Sequence, residues 1–422
     1  MINRIEFSAR NLTSNAGLLL LLEHASKNGI FDLIDHDLVF ENASTNKIKM
    51  NHIKTMLCGN FIGIDKLERL KLLQSDPLVN EFAISIKEPE TVSRFLGNFS
   101  YKTTQMLREI HFKLFRKLLR KSKLKSITID MDSSVVNVEG HQEGAVKGYN
   151  PKKPGNRCYN LQLAFCDELK AYLTGYVRSG DTYTANGATG MIQEIIAHLK
   201  EEDLEITFRM DSGYFDDAIL ETIESLGCTY VIKGKGYPTL VEQVTDPSIA
   251  FVTSAAGRET TELVTALNTW KEDRRFVVSR VLKDEKDRKQ LSFLEGDAYD
   301  YFFFVTNDME LSSEEVVEFY EKRGNCENYI KEAKYDMAVG HLLLQSFWAN
   351  EAVFQLMMLA YNLFLLFKLD CVTAVEYRQQ IKTFRLKYIF LAGKIIRTAR
   401  SVVMKLLERY PYLEIYEHSL SG

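Results

Sequence analysis

The chain has 422 residues, of which 45% are hydrophobic and 26% charged. These values are ordinary for a soluble globular protein, and the length allows two to three domains. The six cysteines form no C-x-x-C pair, which argues against a zinc site and a disulfide scaffold, so we expect a reducing, cytoplasmic compartment. The net charge of −4 provides no overall attraction for nucleic acid.

Residues 1–122 are predicted to form a helical, DNA-binding region, because 53–72 and 103–119 show helix-period patterning. Within it, Lys87–Leu96 has the outline of a helix-turn-helix unit whose second helix would present Arg94 to DNA. A surface helix that begins at a proline and touches no DNA would give the same pattern. A basic stripe without acids at 113–125 fits either phosphate contact or a solvated helix face.

From Ser126 the pattern changes to that of a mixed α/β sheet, and residues 123–235 are predicted to form the first part of an α/β core. Strands are predicted at 126–132, 159–165, 171–177, 205–210 and 230–232, with helices at 185–199 and 215–226. Residues 236–300 are predicted to be a β-rich insertion. The core resumes at 301–345 with a buried strand, Tyr301–Thr306.

Residues 346–422 are predicted to be a helical C-terminal region. The apolar segment Phe354–Phe367 is interrupted by Gln355 and Asn362 and is short for a bilayer. We therefore expect a buried core helix and no membrane partner. A second basic stripe without acids lies at 382–400 and has the same two interpretations as the first.

A long helix is predicted to begin at a capping box formed by Ser312 and Glu315. It carries four residues that fall within about 60° of one another on a helical wheel: Tyr320, Arg323, Glu327 and Lys334. Glu327 could bind a metal ion while Arg323 and Lys334 neutralise phosphate oxygens. Tyr320 could donate a hydrogen bond to the same phosphate. A solvated helix with i,i+4 ion pairs is the alternative.

Two aspartates follow neighbouring predicted strands. Asp132 ends the first strand, and Asp211 follows the strand at 205–210. Together with Glu327 they could bracket two divalent ions roughly 4 Å apart, which would serve in-line displacement at phosphorus. We expect Mg²⁺, with Mn²⁺ as an alternative. Asp130 shares a strand face with Asp132 and competes with it for the first position.

These residues resemble the DDE transposases of bacterial insertion sequences, in the cut-and-paste branch that carries a Y-x2-R-x3-E-x6-K signature. The helix residues named above match that signature at every position. Four further pieces resemble the group called transposase DDE domain, group 1: Asp130-Met-Asp132-Ser, Gly140-His-Gln-Glu-Gly144, Gly148-Tyr149-Asn150-Pro151 and Arg209-Met-Asp211-Ser-Gly213. The resemblance covers about residues 5 to 400.

The resemblance implies a ribonuclease-H-like core with a β insertion between the second Asp and the Glu. It also implies binding to the terminal inverted repeats of double-stranded DNA, nicking, hairpin formation and strand transfer into target DNA, in association with the nucleoid. In relatives that form hairpins, a Trp of the insertion stacks on a flipped base. Trp270 is the candidate here, with a buried core Trp as the alternative. Because two ends must be joined, we expect a homodimer on DNA.

A basic loop beside the first strand provides further candidate phosphate contacts, Lys152, Lys153 and Arg157, or else it is merely solvated. Two other functions remain open. One is a ribonuclease-H-like nuclease that cuts DNA without joining it. The other is a transposase-derived DNA-binding protein that has lost catalysis.

Overall fold

The computed structural model describes residues 4–6, 8–150, 153–283, 298–342 and 344–421. The helices of the N-terminal third are α1 (Leu18–Lys27), α2 (Ile30–Asp37), α3 (Ala43–Ile62), α4 (Pro77–Glu81), α5 (Pro89–Leu96) and α6 (Tyr101–Ser122). Those that follow are α7 (Ala188–Leu199), α8 (Asp217–Ser225), α9 (Pro238–Thr245), α10 (Ser313–Glu321), α11 (Gly324–Asp336), α12 (Phe347–Cys371), α13 (Ala374–Tyr377), α14 (Ile381–Phe384) and α15 (Leu413–Ser421).

The strands are β1 (Leu12–Thr13), β2 (Ser126–Asn137), β3 (Val146–Lys147), β4 (Arg157–Cys166), β5 (Ala171–Ser179), β6 (Glu205–Met210), β7 (Thr229–Lys233), β8 (Val252–Thr253), β9 (Glu259–Thr265), β10 (Arg274–Leu282), β11 (Tyr299–Thr306), β12 (Gly393–Arg397) and β13 (Val402–Lys405). The architecture is therefore mixed α/β, as the sequence predicts. The predicted strand at 205–210 is confirmed at both ends, whereas β2 runs five residues beyond the predicted end at Asp132.

Strand β2 lies near the middle of the main sheet. It pairs antiparallel with β4, which in turn pairs with β5, and parallel with β6. Strand β6 then pairs parallel with β7. The register aligns Met131 with Met210, so the next residues of the two strands, Asp132 and Asp211, emerge side by side at the same edge.

The segment predicted as a β-rich insertion extends this sheet. Strand β11 pairs with β7, and β10, β9 and β8 follow in that order. The segment also contains α9, which the sequence interpretation missed although Pro238 occupies the first helical position, where proline is favoured. The limits assigned above to each domain remain a prediction.

Helix α12 is the buried core helix that the apolar segment predicts. It packs against α1, α3, α6 and β5, and its polar residues Gln355 and Asn362 are fully buried with hydrogen-bond partners. Asn362, for example, donates to the carbonyl oxygen of Tyr172 at 2.6 Å. By length and composition alone this helix could cross a membrane, but 94% of its most apolar window lies inside the protein.

The prediction that residues 346–422 are helical is wrong at Gly393–Arg397 and Val402–Lys405. Strands β12 and β13 form a hairpin, and β12 pairs with β1 near the start of the chain. These strands carry Ile395, Ile396, Val402 and Val403, whose β-branched side chains favour extended backbone. The basic stripe at 382–400 is accordingly divided between helix and hairpin, and Arg385 within it is buried.

The capping box of Ser312 and Glu315 is confirmed, since each side chain bonds the backbone N–H of the other residue. The helix that it begins is not continuous, however. It ends at Glu321, and α11 begins at Gly324 with Arg323 as its N-cap residue. Arg323 therefore lies at the junction of two helices.

A buried guanidinium connects the sheet to these two helices. Nε and Nη2 of Arg209 in β6 donate to the two carboxylate oxygens of Asp130 in β2, at 2.7 Å each. Nη1 donates to the carbonyl oxygen of Phe319 in α10, and Nη2 donates also to Asp167. Asp167 in turn accepts a hydrogen bond from Tyr329 of α11 at 2.8 Å. This Arg209 network fixes α10 and α11 against β2 and β6.

Replacement of Arg209 by Met should lower the free energy of unfolding by about 3–5 kcal/mol, because it leaves the fully buried Asp130 without its partner. Urea unfolding followed by circular dichroism measures the change. The matched control is Lys125→Ala, which removes the solvent-exposed pair with Asp203 and should cost less than about 1 kcal/mol. Equal losses in the two variants would contradict a structural role for the Arg209 network.

Candidate active site

Three carboxylates that are remote along the chain lie around the guanidinium of Arg323. Its Nη2 lies 3.0 Å from Oδ1 of Asp132 and 3.7 Å from Oδ2 of Asp211. Its Nη1 lies 3.8 Å from Oε1 of Glu327. The structure therefore brings together the three predicted carboxylates and the predicted cation, although α10 and α11 are separate helices.

The two aspartates are held by their local backbone. Oδ1 of Asp132 accepts a hydrogen bond from the N–H of Ser133, and Oδ1 of Asp211, the N-cap residue of the short 3₁₀ turn Ser212–Tyr214, accepts one from the N–H of Gly213. The hydroxyl of Ser133 also lies 3.1 Å from that of Thr184. Glu327 is held less tightly, since 54% of its side chain is exposed.

Burial dominates the electrostatics of the site. Burial, reinforced by the charge of Asp211, raises the pKa of Asp132 to about 6, although Arg323 opposes the shift. Burial lowers the pKa of Arg323, but Asp132 and Asp211 more than offset this, so its pKa lies above the ordinary value. Burial also raises the pKa of Tyr320 to about 12, and this phenol stays protonated near neutral pH.

The position of Asp130 distinguishes it from Asp132. Both carboxylates are on one strand face, but Asp130 is fully buried and is paired with Arg209. Asp132 keeps 14% of its side-chain surface exposed and lines an open cleft. Only the latter can be reached from solvent, which favours Asp132 as the first carboxylate of the site.

The donor set fits a hard divalent cation. Carboxylate oxygens are the ligands that Mg²⁺ and Mn²⁺ prefer, and here three of them contact a single positive group. In the part of the chain that the structure describes, no three Asp, Glu, His or Cys side chains are close enough to one another to bind a single metal ion. The single positive charge of Arg323 offsets only part of the negative charge of the three carboxylates.

Two clefts flank the site. The first, which we call the arginine cleft, has a volume of about 860 Å³ and is lined by Lys233, Arg258, Arg280 and Arg323. Glu259, Glu321 and Glu327 oppose these cations. The second, of about 940 Å³, is lined by Asp132, Asp211 and Lys334 together with hydroxyl and amide side chains.

The remaining signature residues lie on both sides of the carboxylates. Tyr320 lines the arginine cleft and packs against Phe304 with ring centroids 4.9 Å apart. Lys334 lines the second cleft, where its Nζ donates to the carbonyl oxygen of Val135 at 2.8 Å. Tyr320, Arg323 and Glu327 thus line the arginine cleft, and Lys334 lines the second cleft.

Other predicted contacts lie away from this centre. Trp270 is half-buried in an aromatic cluster, stacked on Phe276 with centroids 5.7 Å apart and lying beside Phe215. Arg94 is exposed on α5, where it contacts Thr91. Their roles on DNA remain predictions.

The basic loop beside β2 is only partly described. Lys153 is half-exposed, with Glu139 at 3.9 Å, and Arg157 donates to the carbonyl oxygen of Ala145 at 3.2 Å. Lys152 lies outside the described residues.

Several residues of the arginine cleft were not found from the sequence. Lys233 ends β7, and β7 runs parallel to β6, which Asp211 follows. Because the carboxyl ends of adjacent parallel strands meet at one edge, this placement could have been predicted from the strand pattern. Arg258 and Arg280 have no such signal, since the pairing of β9 with β10 brings them near the site.

Replacement of Asp132 by Asn should stabilise the metal-free protein by about 1–3 kcal/mol at pH 7.5, since the pKa of the buried carboxyl rises from 3.8 to about 6. The wild-type native state binds this proton more tightly than the unfolded chain. Its stability should therefore rise as the pH falls from about 6 to 3.8, and the advantage of the variant should disappear over that window. Urea unfolding in EDTA at several pH values measures both effects.

The control is Asp203→Asn, because that side chain is 98% exposed and its replacement should change the unfolding free energy little at any pH. A constant difference between Asp132→Asn and wild type from pH 4 to pH 7.5 would contradict the assigned environment.

Comparison with known families matches residues 3–422 to the family described as Transposase DDE domain group 1. No curated protein matches the chain. Among solved structures, it is similar to the piggyBac transposase synaptic complex with hairpin DNA, at 12% identity and a TM-score of 0.49, over 89% of this chain and 79% of that one. It is also similar to a Mos1 transposase paired-end complex with left transposon end, at 14% identity and a TM-score of 0.19, over 38% of this chain and 56% of that one.

These structural similarities are too low to assign a fold or a function. The family match is of a different kind, because it spans nearly the whole chain and includes every carboxylate of the site. The protein therefore belongs to the transposase DDE domain group 1 family and is a DDE transposase.

Proposed function

We propose that the protein cuts and joins DNA at the ends of a mobile element, with Asp132, Asp211 and Glu327 holding two divalent ions, Mg²⁺ or Mn²⁺. The observation that carries the proposal is the meeting of these three carboxylates at one guanidinium. They come from two parallel strands and a helix, and they lie between two open clefts.

The sheet order supports a ribonuclease-H-like core. Strands β5, β4 and β2 are antiparallel neighbours, and β2, β6 and β7 are parallel neighbours. In this arrangement β8–β10 form the extension between the second Asp and the Glu, β11 belongs to the core beside β7, and the helices before β2 and after α11 flank the core.

The bound ions would supply activation of a water or 3′-hydroxyl nucleophile and stabilisation of the leaving oxygen. The chain itself positions the phosphate. Arg323 lines the arginine cleft and lies beside all three carboxylates, so its guanidinium would contact a phosphate oxygen held there. Tyr320, protonated at neutral pH, provides another donor on the same side.

The DNA backbone would follow the arginine cleft. Lys233, Arg258 and Arg280 line it beside Arg323, and such cations position phosphates without reading the base sequence. Recognition of the terminal inverted repeats, hairpin formation and assembly as a homodimer on DNA belong to the same proposal. The homodimer follows from the task of joining two ends to one target, whereas repeat recognition and hairpin formation follow from the family resemblance.

Replacement of Asp211 by Asn or Glu327 by Gln should reduce Mg²⁺-dependent nicking by at least about a hundredfold, because loss of a ligand weakens charge stabilisation worth several kcal/mol. The substrate is linear DNA that carries the two ends of the element encoding this chain, and nicks are counted on a denaturing gel. Glu318→Gln, an exposed position on α10, is the matched control and should nick like wild type. Equal nicking by wild type and both site variants would reject the catalytic assignment.

Wild-type protein should also join pre-cut ends bearing a 3′-hydroxyl to a supercoiled target plasmid. The same ions and carboxylates serve hydrolysis and transesterification, since only the attacking oxygen differs. Joined products on an agarose gel measure the reaction. Nicking without any joining would show that the protein is a nuclease that cuts DNA but does not transfer strands. If neither reaction occurs but the ends are bound, the protein would be a DNA-binding derivative.

A further inference from the structure

The second cleft differs from the arginine cleft in what it offers to DNA. Two large aromatic residues line it with almost fully exposed side chains: Tyr149 is 82% exposed and Tyr183 is 80% exposed. We propose that this pair, the tyrosine platform, binds unpaired nucleobases of the DNA strand next to the cleaved phosphate. The proposal rests on the proposed function, because the same cleft is lined by Asp132 and Asp211.

The two tyrosines belong to one wall. A Cβ atom on Gly148 would lie only 1.7 Å from the carbonyl oxygen of Gly180, so the loops that carry the tyrosines pack backbone against backbone. Scattered exposed aromatic residues are common on protein surfaces. Here two of them lie on adjoining loops and line the same cleft as Asp132 and Asp211.

The loop that carries Tyr183 is held in place from beneath. Arg178 is buried, and its Nη1 donates to the carbonyl oxygens of Tyr183 at 3.2 Å and Asn186 at 2.7 Å. Its Nη2 donates to Oδ1 of Asn160 on β4 at 2.6 Å. Because the buried arginine donates to these loop carbonyl oxygens, the backbone of the loop is fixed before any ligand binds. Such preorganisation reduces the entropy lost on binding.

The charge of this cleft favours bases over phosphates. Among the described residues that line it, Lys334 is the one cation, against Asp132, Asp181 and Asp211. A phosphate track would need more positive charge, as in the arginine cleft. Hydroxyl and amide groups make up much of the remaining wall and can bond base edges: Ser133, Ser134, Asn137, Asn160, Thr182 and Thr184.

The platform requires bases that have left the duplex. A tyrosine ring stacks on the face of a base, and in paired DNA those faces are covered by neighbouring base pairs. The hydroxyl of Ser133 lies 3.1 Å from that of Thr184, and this contact links the Tyr183 loop to the residue after Asp132. Unpaired nucleotides on the platform would therefore lie close to the reacting phosphate.

The test compares two double variants of the full chain, Tyr149→Leu with Tyr183→Leu and Tyr149→Phe with Tyr183→Phe. The probes are a short duplex with an unpaired 2-aminopurine tract and its fully paired counterpart, with Ca²⁺ in place of Mg²⁺. Binding is followed by anisotropy, and stacking by quenching of 2-aminopurine. Because both side chains are exposed, thermal melting should show that every variant folds like wild type.

The Leu variant should bind the unpaired probe about tenfold more weakly than wild type, and without quenching, since base–aromatic stacking is lost. The Phe variant should bind the unpaired probe and quench its fluorescence as wild type does. All three proteins should bind the paired probe equally. Equal binding of the unpaired probe by the Leu and Phe variants would overturn the proposal. An equal loss of affinity for the unpaired and the paired probe in the Leu variant would also overturn it. Nicking of the element ends by wild-type protein is measured separately. If wild type nicks the ends but the Leu and Phe variants bind the unpaired probe equally, only the platform is rejected and the proposed function stands.

Discussion

The guanidinium of Arg209 is the contact on which the geometry of the site depends. It lies in β6, two residues before Asp211, and it bonds the carboxylate of Asp130 in β2 and the carbonyl oxygen of Phe319 in α10. Glu327 is on the helix that follows, so its distance from the sheet is set through this buried network. A charge removed from water must keep its partners, because loss of one leaves the other buried and uncompensated.

The site is built from two layers of opposite charges. In the inner layer, Asp130 pairs with Arg209 out of contact with solvent. In the outer layer, Asp132 meets Arg323 at the cleft. The period-two geometry of a strand places both aspartates on one face, but the register of β2 and β6 sets Asp130 opposite Arg209, whereas Asp132 meets Arg323 from the junction of α10 and α11. One carboxylate is thereby committed to structure, and the other is left accessible for chemistry.

The extension of the main sheet by β8–β10 gives the site its two unlike sides. It carries Arg258 and Arg280 to the side of Glu327, where they make a cleft suited to a phosphate backbone. The second cleft lies on the opposite side, and Lys334 is the one cation among the described residues that line it. A DNA strand that passes between them would be held by its phosphates on one side, while the other is left for its bases.

Local patterns in the sequence determined much of this arrangement. The strand at 205–210 and the capping box at Ser312 follow from spacing and residue type, because each depends on neighbours within a few positions. Tertiary structure decided the rest. The pairing of β12 with β1, the separation of Asp130 from Asp132 and the arrival of Arg258 at the site depend on strand register and on contacts between residues far apart along the chain, which local periodicity does not encode.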